Sequence, residues 1–470
     1  MLSYEDARSL VFEHVKPLGK RNCPLTESQG LALSEDILAP HGLPLFDNSA
    51  VDGYAVQSAD LVDASRKNPV RLKKMGYIAA GDTGEEQMNS GQCLQIATGA
   101  PLPPGADTVV MKEDIELNES FVYFTQAIPK TKNVRNQGED IPEGRIMIPA
   151  GTLIGPAQIA VLATFGYAQV PVHRLPKISI VSTGSELVDV EGKPQAGQIR
   201  ESNRFMLAGM VRQESCELVK ISLVPDIPEI LIQAFEEALQ TDVALISGGM
   251  SVGDKDFAKP LLKEMGVEEI FWKIKFKPGK PLFFGRRGKT LVFGLPGNPA
   301  SSYVLFEEFV RPALRKLMGR KILEETMVKA TLDEPITETL NRLHFMRGQL
   351  SEKNGKFRVR PLAFQGSHSI SSLVESNALI RVEADSPVLP EGSQVLVRPL
   401  RNEIGEIYGC CFIFTERTCR TTRFEVFRQR RFANHTCLRI GFASGRWTGL
   451  SDKSGWINKC SDTCRNVQAC

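Results

Sequence analysis

The sequence predicts a multidomain protein of mixed α/β and β type, built around a central three-layer α/β domain with a mainly parallel sheet. Three observations carry that expectation. Between residues 177 and 319, strand-like runs alternate with helical ones at the spacing of βαβ units. On either side the texture changes to short apolar runs broken by Gly, Pro and Asp, which suits smaller β-rich domains. A chain of 470 residues also exceeds what one hydrophobic core organises.

Taken in order, residues 4–17 read as an amphipathic helix capped by Ser3, with Leu10, Val11, Val15 and Leu18 near one face. A second short helix is expected near Ser28. Residues 1–43 and 139–175 form a helical and extended N-terminal part, in which "GPAQIAVLATFG" is a helix started by Pro156 and stopped by Gly166. Residues 44–138 form a small β-rich domain. In the α/β domain, 176–322, strands 177–184, 217–225 and 242–249 alternate with helices 201–213, 227–240 and 256–266. After "TLVFGLPGNP", a long helix over 300–319 closes the domain. Pro260 and Pro312 inside these helices should kink them or mark their first turns. Residues 323–400 return to short strands and suggest a C-terminal β domain.

The tail 401–470 has neither character. It holds 12 Lys+Arg against 6 Asp+Glu, leaving 45 against 49 in residues 1–400, and it carries seven of the ten cysteines. Its spacings of His435, Cys437, Cys460 and Cys464 do not form clean zinc knuckles. The tail reads as an atypical extension or a stretch in an altered frame.

Composition narrows the function. With 42% hydrophobic and 24% charged residues, the chain is that of an ordinary folded protein. It contains no run of about 18 apolar residues, and its acidic start argues against a signal peptide, so a cytoplasmic location without membrane attachment is expected. The body is mildly acidic and lacks a basic stripe, which argues against nucleic acid as a partner. Cys23, Cys93 and Cys216 are too scattered for a disulfide framework.

Open α/β sheets bind ligands beyond the carboxyl ends of their strands. Three loops leave such ends here: "STGSEL" (182–187), "SGGMSVGDKD" (247–256) and "GLPGNPASS" (294–302). Each joins a glycine turn to a hydroxyl near a helix start, where free N–H groups suit an anion. None is a dinucleotide fingerprint or a Walker loop. Singly, each is also what an ordinary turn looks like; three converging loops favour a ligand. Glu186, Asp226, Asp254 and Asp256 add hard oxygen ligands beside them, as Mg²⁺ requires. Lys277 and Lys280 flank a rigid Pro–Gly turn, which suits a paired anion contact. The set suggests a phosphorylated, nucleotide-bearing substrate and electrostatic stabilisation of its transition state.

Two further constellations stand outside those loops. In the β-rich domain, "PLFDNSAVDGYAV", "IATGAPLPPGADTVVMKED" and "NVRNQGEDI" set acids and polar residues among glycines. That domain is too small to enclose a site alone, so its loops should meet another subunit or domain. Further on, "FQGSHSISSL" and "RLHFMRGQL" offer Ser367, His368 and Arg347. Without a G-x-S-x-G elbow, and with Ser367 and His368 adjacent, they do not make a Ser–His–Asp hydrolase.

Together, "FDNSAVDGYA", "ATGAPLPPGADTVV", "QGEDI", "STGSEL", "SGGMSVGDKDF", "KPGKP", "GLPGNPAS" and "QGSHSISSL" resemble the molybdopterin molybdenumtransferase family, which includes the insertase half of gephyrin. The resemblance runs in order from about residue 3 to 400. It implies a cytoplasmic homodimer that takes adenylylated molybdopterin and molybdate and, with Mg²⁺, releases AMP and molybdenum cofactor. An upstream molybdopterin adenylyltransferase and downstream molybdoenzymes or their chaperones are the implied partners. By motif, Asp52, Thr98 and Asp140 would reach across from the second subunit. Glu186, Asp226 and Asp256 would handle Mg²⁺ and the pyrophosphate or pterin, with Ser251 in the same loop contacting substrate. Lys277, Lys280, Ser301, Arg347 and Ser367 would hold molybdate beside the dithiolene, in a loop shaped by Pro296 and Pro299. Asp52, Asp140, Asp256, Lys277 and Lys280 form the implied catalytic set. The chain departs from the family at Ser185, where Asp or Glu is usual. A non-catalytic scaffold and a tungstate-preferring insertase are the alternatives.

Overall fold

The computed structural model describes residues 1–250, 257–338, 341–400, 423–427 and 439–443. Its centre is a six-stranded sheet in the order Glu217–Val224, Lys177–Thr183, Val243–Ser247, Thr290–Leu295, Phe283–Arg287, Glu268–Trp272. The first three pairings are parallel and the last two antiparallel. The sheet is therefore mixed, with an antiparallel edge on a parallel half.

Alternation along the inner strands assigns its two faces. Ile178, Ile180, Val243, Leu245, Leu291 and Phe293 join one core, while Val181, Ala244, Ile246 and Val292 join another. Helices Asn203–Gln213, Pro299–Leu305 and Arg311–Leu317 cover the first face. Pro228–Ala238 and Ala258–Glu264 cover the second. Burial on both faces is why these strands read as continuous apolar runs. The three layers expected from the sequence are present.

Several element details differ from the sequence reading. The N-terminal helix spans Tyr4–His14, with Ser3 Oγ accepting from the Asp6 N–H at 3.0 Å, and ends before Lys16–Pro17. Near Ser28 there is only a single 3₁₀ turn, Leu25–Glu27. Pro260 falls in the first turn of Ala258–Glu264, where no N–H is needed. The helix expected over 300–319 is interrupted by a π turn, Phe306–Val310. Pro312 cannot donate to the carbonyl four residues earlier, and the widened turn just before it absorbs that defect.

The C-terminal β region closes on itself. Leu343–Lys353, Lys356–Pro361, Val328–Leu332, Gln394–Pro399 and Ala378–Val382 pair in turn, and the last pairs again with the first. An earlier two-residue strand, Phe276–Lys277, leaves the α/β region and pairs in parallel with Leu343 and His344. A separate six-stranded sheet lies within 44–138, in the order Thr108–Met111, Gly53–Val56, Gln92–Ile96, Val70–Ile78, Phe121–Phe124, Ile115–Asn118. Residues 1–407 form one compact unit. In the second, 408–470, Arg423–Phe427 pairs antiparallel with Arg439–Ala443. The cysteine and histidine positions considered for zinc lie outside the described residues. No described helix is long and apolar enough to cross a membrane.

Buried charge fastens the helical layer. Glu214, at the end of Asn203–Gln213, meets Arg311 at 2.5 Å, Arg315 at 3.2 Å and Arg320 at 3.0 Å. Burial opposes its ionisation, but hydrogen bonds and charge from Arg315 and Arg311 outweigh that and hold the carboxyl below its ordinary value. Its stabilising effect is therefore complete above the ordinary Glu range and is lost as pH falls through the depressed folded value. Glu214→Ala leaves buried guanidinium groups short of their shared carboxylate. It should cost about 3–5 kcal/mol in urea unfolding at pH 7, with a smaller penalty at pH 3; an unchanged midpoint at pH 7 would show that the cluster contributes nothing.

Candidate active site

The carboxyl ends of Lys177–Thr183, Val243–Ser247 and Thr290–Leu295 share one edge, and their loops enclose a cavity of about 900 Å³. Ser182–Leu187, Ser247–Met250 and Pro296–Pro299 line it, so the described parts of the three glycine loops do converge. Backbone geometry demands two of those glycines. Gly248 has φ +98°, and a Cβ there would stand 2.2 Å from the Thr183 carbonyl oxygen. Gly249 has φ +63°, and its Cβ would meet that of Ala258 at 2.8 Å. Ser251, Asp254 and Asp256, which complete this loop, lie outside the described residues.

The N–H groups expected to be free are partly spent. Gly184 donates to Val224 O, Gly248 to Leu295 O, and Ser185 to Asp226 Oδ2 at 3.0 Å. The helix Asn203–Gln213 presents its positive end to the cavity, since Ser202 and Asn203 line it. Asn203 Nδ2 donates to Ser247 Oγ at 2.9 Å and to Gly297 O at 2.8 Å, tying two loops together. Glu201, also in the wall, accepts from Ser182 Oγ at 2.8 Å. Sequence reasoning missed both residues; the "ESN" before a helical run was their only signal.

Two of the expected metal ligands, Glu186 and Asp226, lie among the described residues. Asp226 accepts from the Thr183 hydroxyl and the Ser185 N–H, and its own N–H donates to Ser185 Oγ at 3.3 Å. Ser185 is thus a partner of Asp226. Glu186 is exposed at the lip of the same cavity. Among the described residues, no group of three or more His, Cys, Asp or Glu side chains is placed to hold a metal ion.

A second cavity of about 490 Å³ abuts the first through Pro281, Pro296 and Asn298. Lys277, Lys280, Ser301, Ser367, Glu338 and Arg342 line it. Ser367 is fixed to the proline loop: its Oγ accepts from Asn298 Nδ2 at 3.1 Å and its carbonyl from the Ala300 N–H at 3.1 Å. Pro299 begins the helix Pro299–Leu305 and lines the first cavity. His368 also lines that cavity and is set edge-on to Phe364.

Arg347 is placed otherwise than the resemblance implied. It is fully buried and lines neither cavity, because its strand points it into the base of the 364–372 segment. There it donates to Ser372 Oγ at 2.8 Å and to the carbonyls of Phe364 and Gly366. Burial lowers its pKa to about 10, so it stays charged at neutral pH. His344, the register partner of Lys277 on the neighbouring strand, is buried too. Burial, then Lys277, Arg347 and Arg342, push its pKa down to about 3, so it is neutral.

The residues expected from the β-rich domain lie elsewhere. Asp52 accepts from Thr98 at both the backbone N–H (2.9 Å) and the hydroxyl (2.8 Å). The Thr98 N–H and hydroxyl hold its carboxyl below the usual range. Asp52, Thr98 and Asp140 are all exposed, and none lines either cavity of its own chain.

The order of domains around this cleft is matched in known proteins. Residues 2–166 match the MoeA N-terminal region (domain I and II), 179–316 the "Probable molybdopterin binding domain", and 329–400 the MoeA C-terminal region (domain IV). The chain is 36% identical over 411 residues to a molybdopterin molybdenumtransferase of Haemophilus influenzae, covering 86% of this chain and all of that one. The chain belongs to the MoeA family of molybdopterin molybdenumtransferases. A Bacillus subtilis member is 33% identical over 386 residues, covering 81% of this chain and 90% of its own. The crystal structure of the molybdopterin biosynthesis moeA protein from Pyrococcus horikoshii OT3 superposes with a TM-score of 0.73 at 31% identity, covering 85% of this chain and all of that one.

In this MoeA-family chain the glycine loop admits no Cβ. Gly248→Ala should lower stability by about 1–3 kcal/mol and weaken ligand binding in the first cavity. Thermal melting with calorimetric titration checks both, and a fully stable, fully competent variant would mean that the loop is free to shift.

Proposed function

We propose that this chain inserts molybdenum from molybdate into adenylylated molybdopterin, releasing AMP and molybdenum cofactor. One observation carries the reading. A cavity edged by a helix N-terminus and carboxylates opens onto one lined by Lys277 and Lys280, so a phosphoanhydride and an oxyanion can lie side by side. The names of the relatives support it. Molybdate, the dithiolene and the phosphoanhydride repel one another in water, and the cleft's work is to bring them together.

Each residue has a part in that work. Lys277 and Lys280 neutralise the oxyanion, while the hydroxyls of Ser301 and Ser367 donate to it. Arg347 acts from beneath, holding the carbonyls of Phe364 and Gly366 so that Ser367 stays aimed, and adding a positive charge with no paired carboxylate among the described residues. Pro296 and Pro299 fix the wall between the cavities. Mg²⁺ takes one or two carboxylates and completes its shell with phosphate oxygens and water, and Glu186 and Asp226 on one cavity suit that pattern. With Asp256, they would hold the ion, which would neutralise charge on the leaving phosphate, while Ser251 would contact the substrate.

Asp52, Thr98 and Asp140 complete the site from a second copy of the chain, because they are exposed and remote from their own cleft. The working unit is then a homodimer. An adenylyltransferase acting on molybdopterin must supply the substrate, and apo-molybdoenzymes or their chaperones consume the product.

The test is AMP release from adenylylated molybdopterin with Mg²⁺ and molybdate, scored with activation of an apo-molybdoenzyme. Lys277→Ala should lose about 100-fold or more in turnover without unfolding. A doubly tagged heterodimer of Asp52→Ala with Lys277→Ala keeps one complete shared site, and should recover about half the wild-type rate. An inactive heterodimer would place each site within one chain, and full activity of Lys277→Ala would remove the mechanism.

A further inference from the structure

The cationic cavity already contains an anion of the protein's own. Glu338 Oε1 lies 2.5 Å from Lys277 Nζ, and Glu338 lines the same cavity as Lys280, Arg342, Ser301 and Ser367. The other oxygen of that carboxylate stands 3.6 Å from Nδ1 of the neutral His344, so Lys277 is its ion-pair partner. Lys280 has no ion-pair partner among the described residues, and Arg342 Nε is buried without a hydrogen bond. Of the described charged residues lining this cavity, Glu338 is the single acid against three cations.

We infer that Glu338 is a resident competitor for the oxyanion subsite, a carboxylate that the incoming oxyanion must displace from Lys277 and that sets how strongly charged that anion has to be. The inference rests on the reading that this cavity takes molybdate. The side chains of Lys277 and Glu338 are 23% and 42% exposed, so their pair is screened and weak enough to exchange. A dianion gains about twice the Coulomb energy of a carboxylate from the same cations and can win the exchange; a monoanion cannot. Glu338 therefore keeps Lys277 paired before substrate arrives and discriminates against singly charged oxyanions.

The test is calorimetric titration of the full chain with sodium molybdate and with sodium perchlorate, a monovalent tetrahedral anion. Glu338→Gln should bind molybdate roughly three- to fivefold more tightly than wild type, the factor that loss of one partly exposed ion pair allows. It should gain at least as much for perchlorate, narrowing the discrimination. Glu334→Gln removes the same charge from a nearby exposed residue that is not paired with Lys277, and should leave both affinities unchanged. Unchanged or weaker molybdate binding in Glu338→Gln would overturn the inference, showing that the carboxylate orients Lys277. Equal tightening in Glu334→Gln would reduce it to a general charge effect and also overturn it. If Lys277→Ala binds molybdate as wild type does, the oxyanion reading of the cavity fails, and this inference with it.

Discussion

Lys277 belongs to the α/β region by sequence and to the C-terminal β region by hydrogen bonding. Phe276 and Lys277 pair in parallel with Leu343 and His344, so the segment that leaves the central sheet after Trp272 becomes an edge strand of the C-terminal sheet where the second cavity opens. The same seam is packed by a continuous core in which Tyr4 and Val11 of the first helix touch the α/β layer, while Phe345, Leu379 and Leu400 enter from the other side. Charge crosses it as well. Glu308 accepts a hydrogen bond from Tyr4 at 2.6 Å and pairs with Arg398 at 2.7 Å. A cleft whose walls come from different folding units is only as well defined as the joint between them, and here that joint is a strand pairing, an apolar core and a buried ion pair.

Rigidity of this kind matters because the chemistry assigned to the cleft is electrostatic. Cations that wait in place for an anion stabilise it without reorganising, but each must be prevented from collapsing onto the nearest carboxylate. The two sides of the cleft meet that constraint differently. Arg347 is buried and aimed at carbonyl oxygens, which accept its protons without cancelling its charge. Asp226 is held by Thr183 and Ser185, so its orientation is set by neutral donors. Lys277, nearer the surface, is in contact with an exchangeable acid, Glu338.

Much of this was legible from residues alone, and the reasons for the rest are physical. Strands such as Lys177–Thr183 and Val243–Ser247 are apolar on both faces, which only a covered sheet permits, so the layered core followed from pattern. The glycine loops were recognisable because positive φ and close backbone approach leave little choice of residue at Gly248. The π turn at Phe306–Val310 was not, since it is the response of an otherwise good helix to Pro312. Nor was the antiparallel edge of the sheet, because short strands carry no sign of their direction. At the site, Lys277 and Ser367 stood out through their turns. Glu338, Glu201 and Asn203 did not, because nothing local marks a polar residue that long-range folding brings into a wall. Arg347 was recognised by resemblance, yet its strand buries it beneath the loop it supports.

The central claim is that one cavity, at the joint between the two sheets, receives the metal oxyanion. Anomalous scattering at the molybdenum edge from crystals soaked in molybdate measures this directly. The account predicts a molybdenum peak in the cavity lined by Lys277, Lys280, Ser301 and Ser367. A peak bound elsewhere on the chain, with that cavity empty, would contradict it.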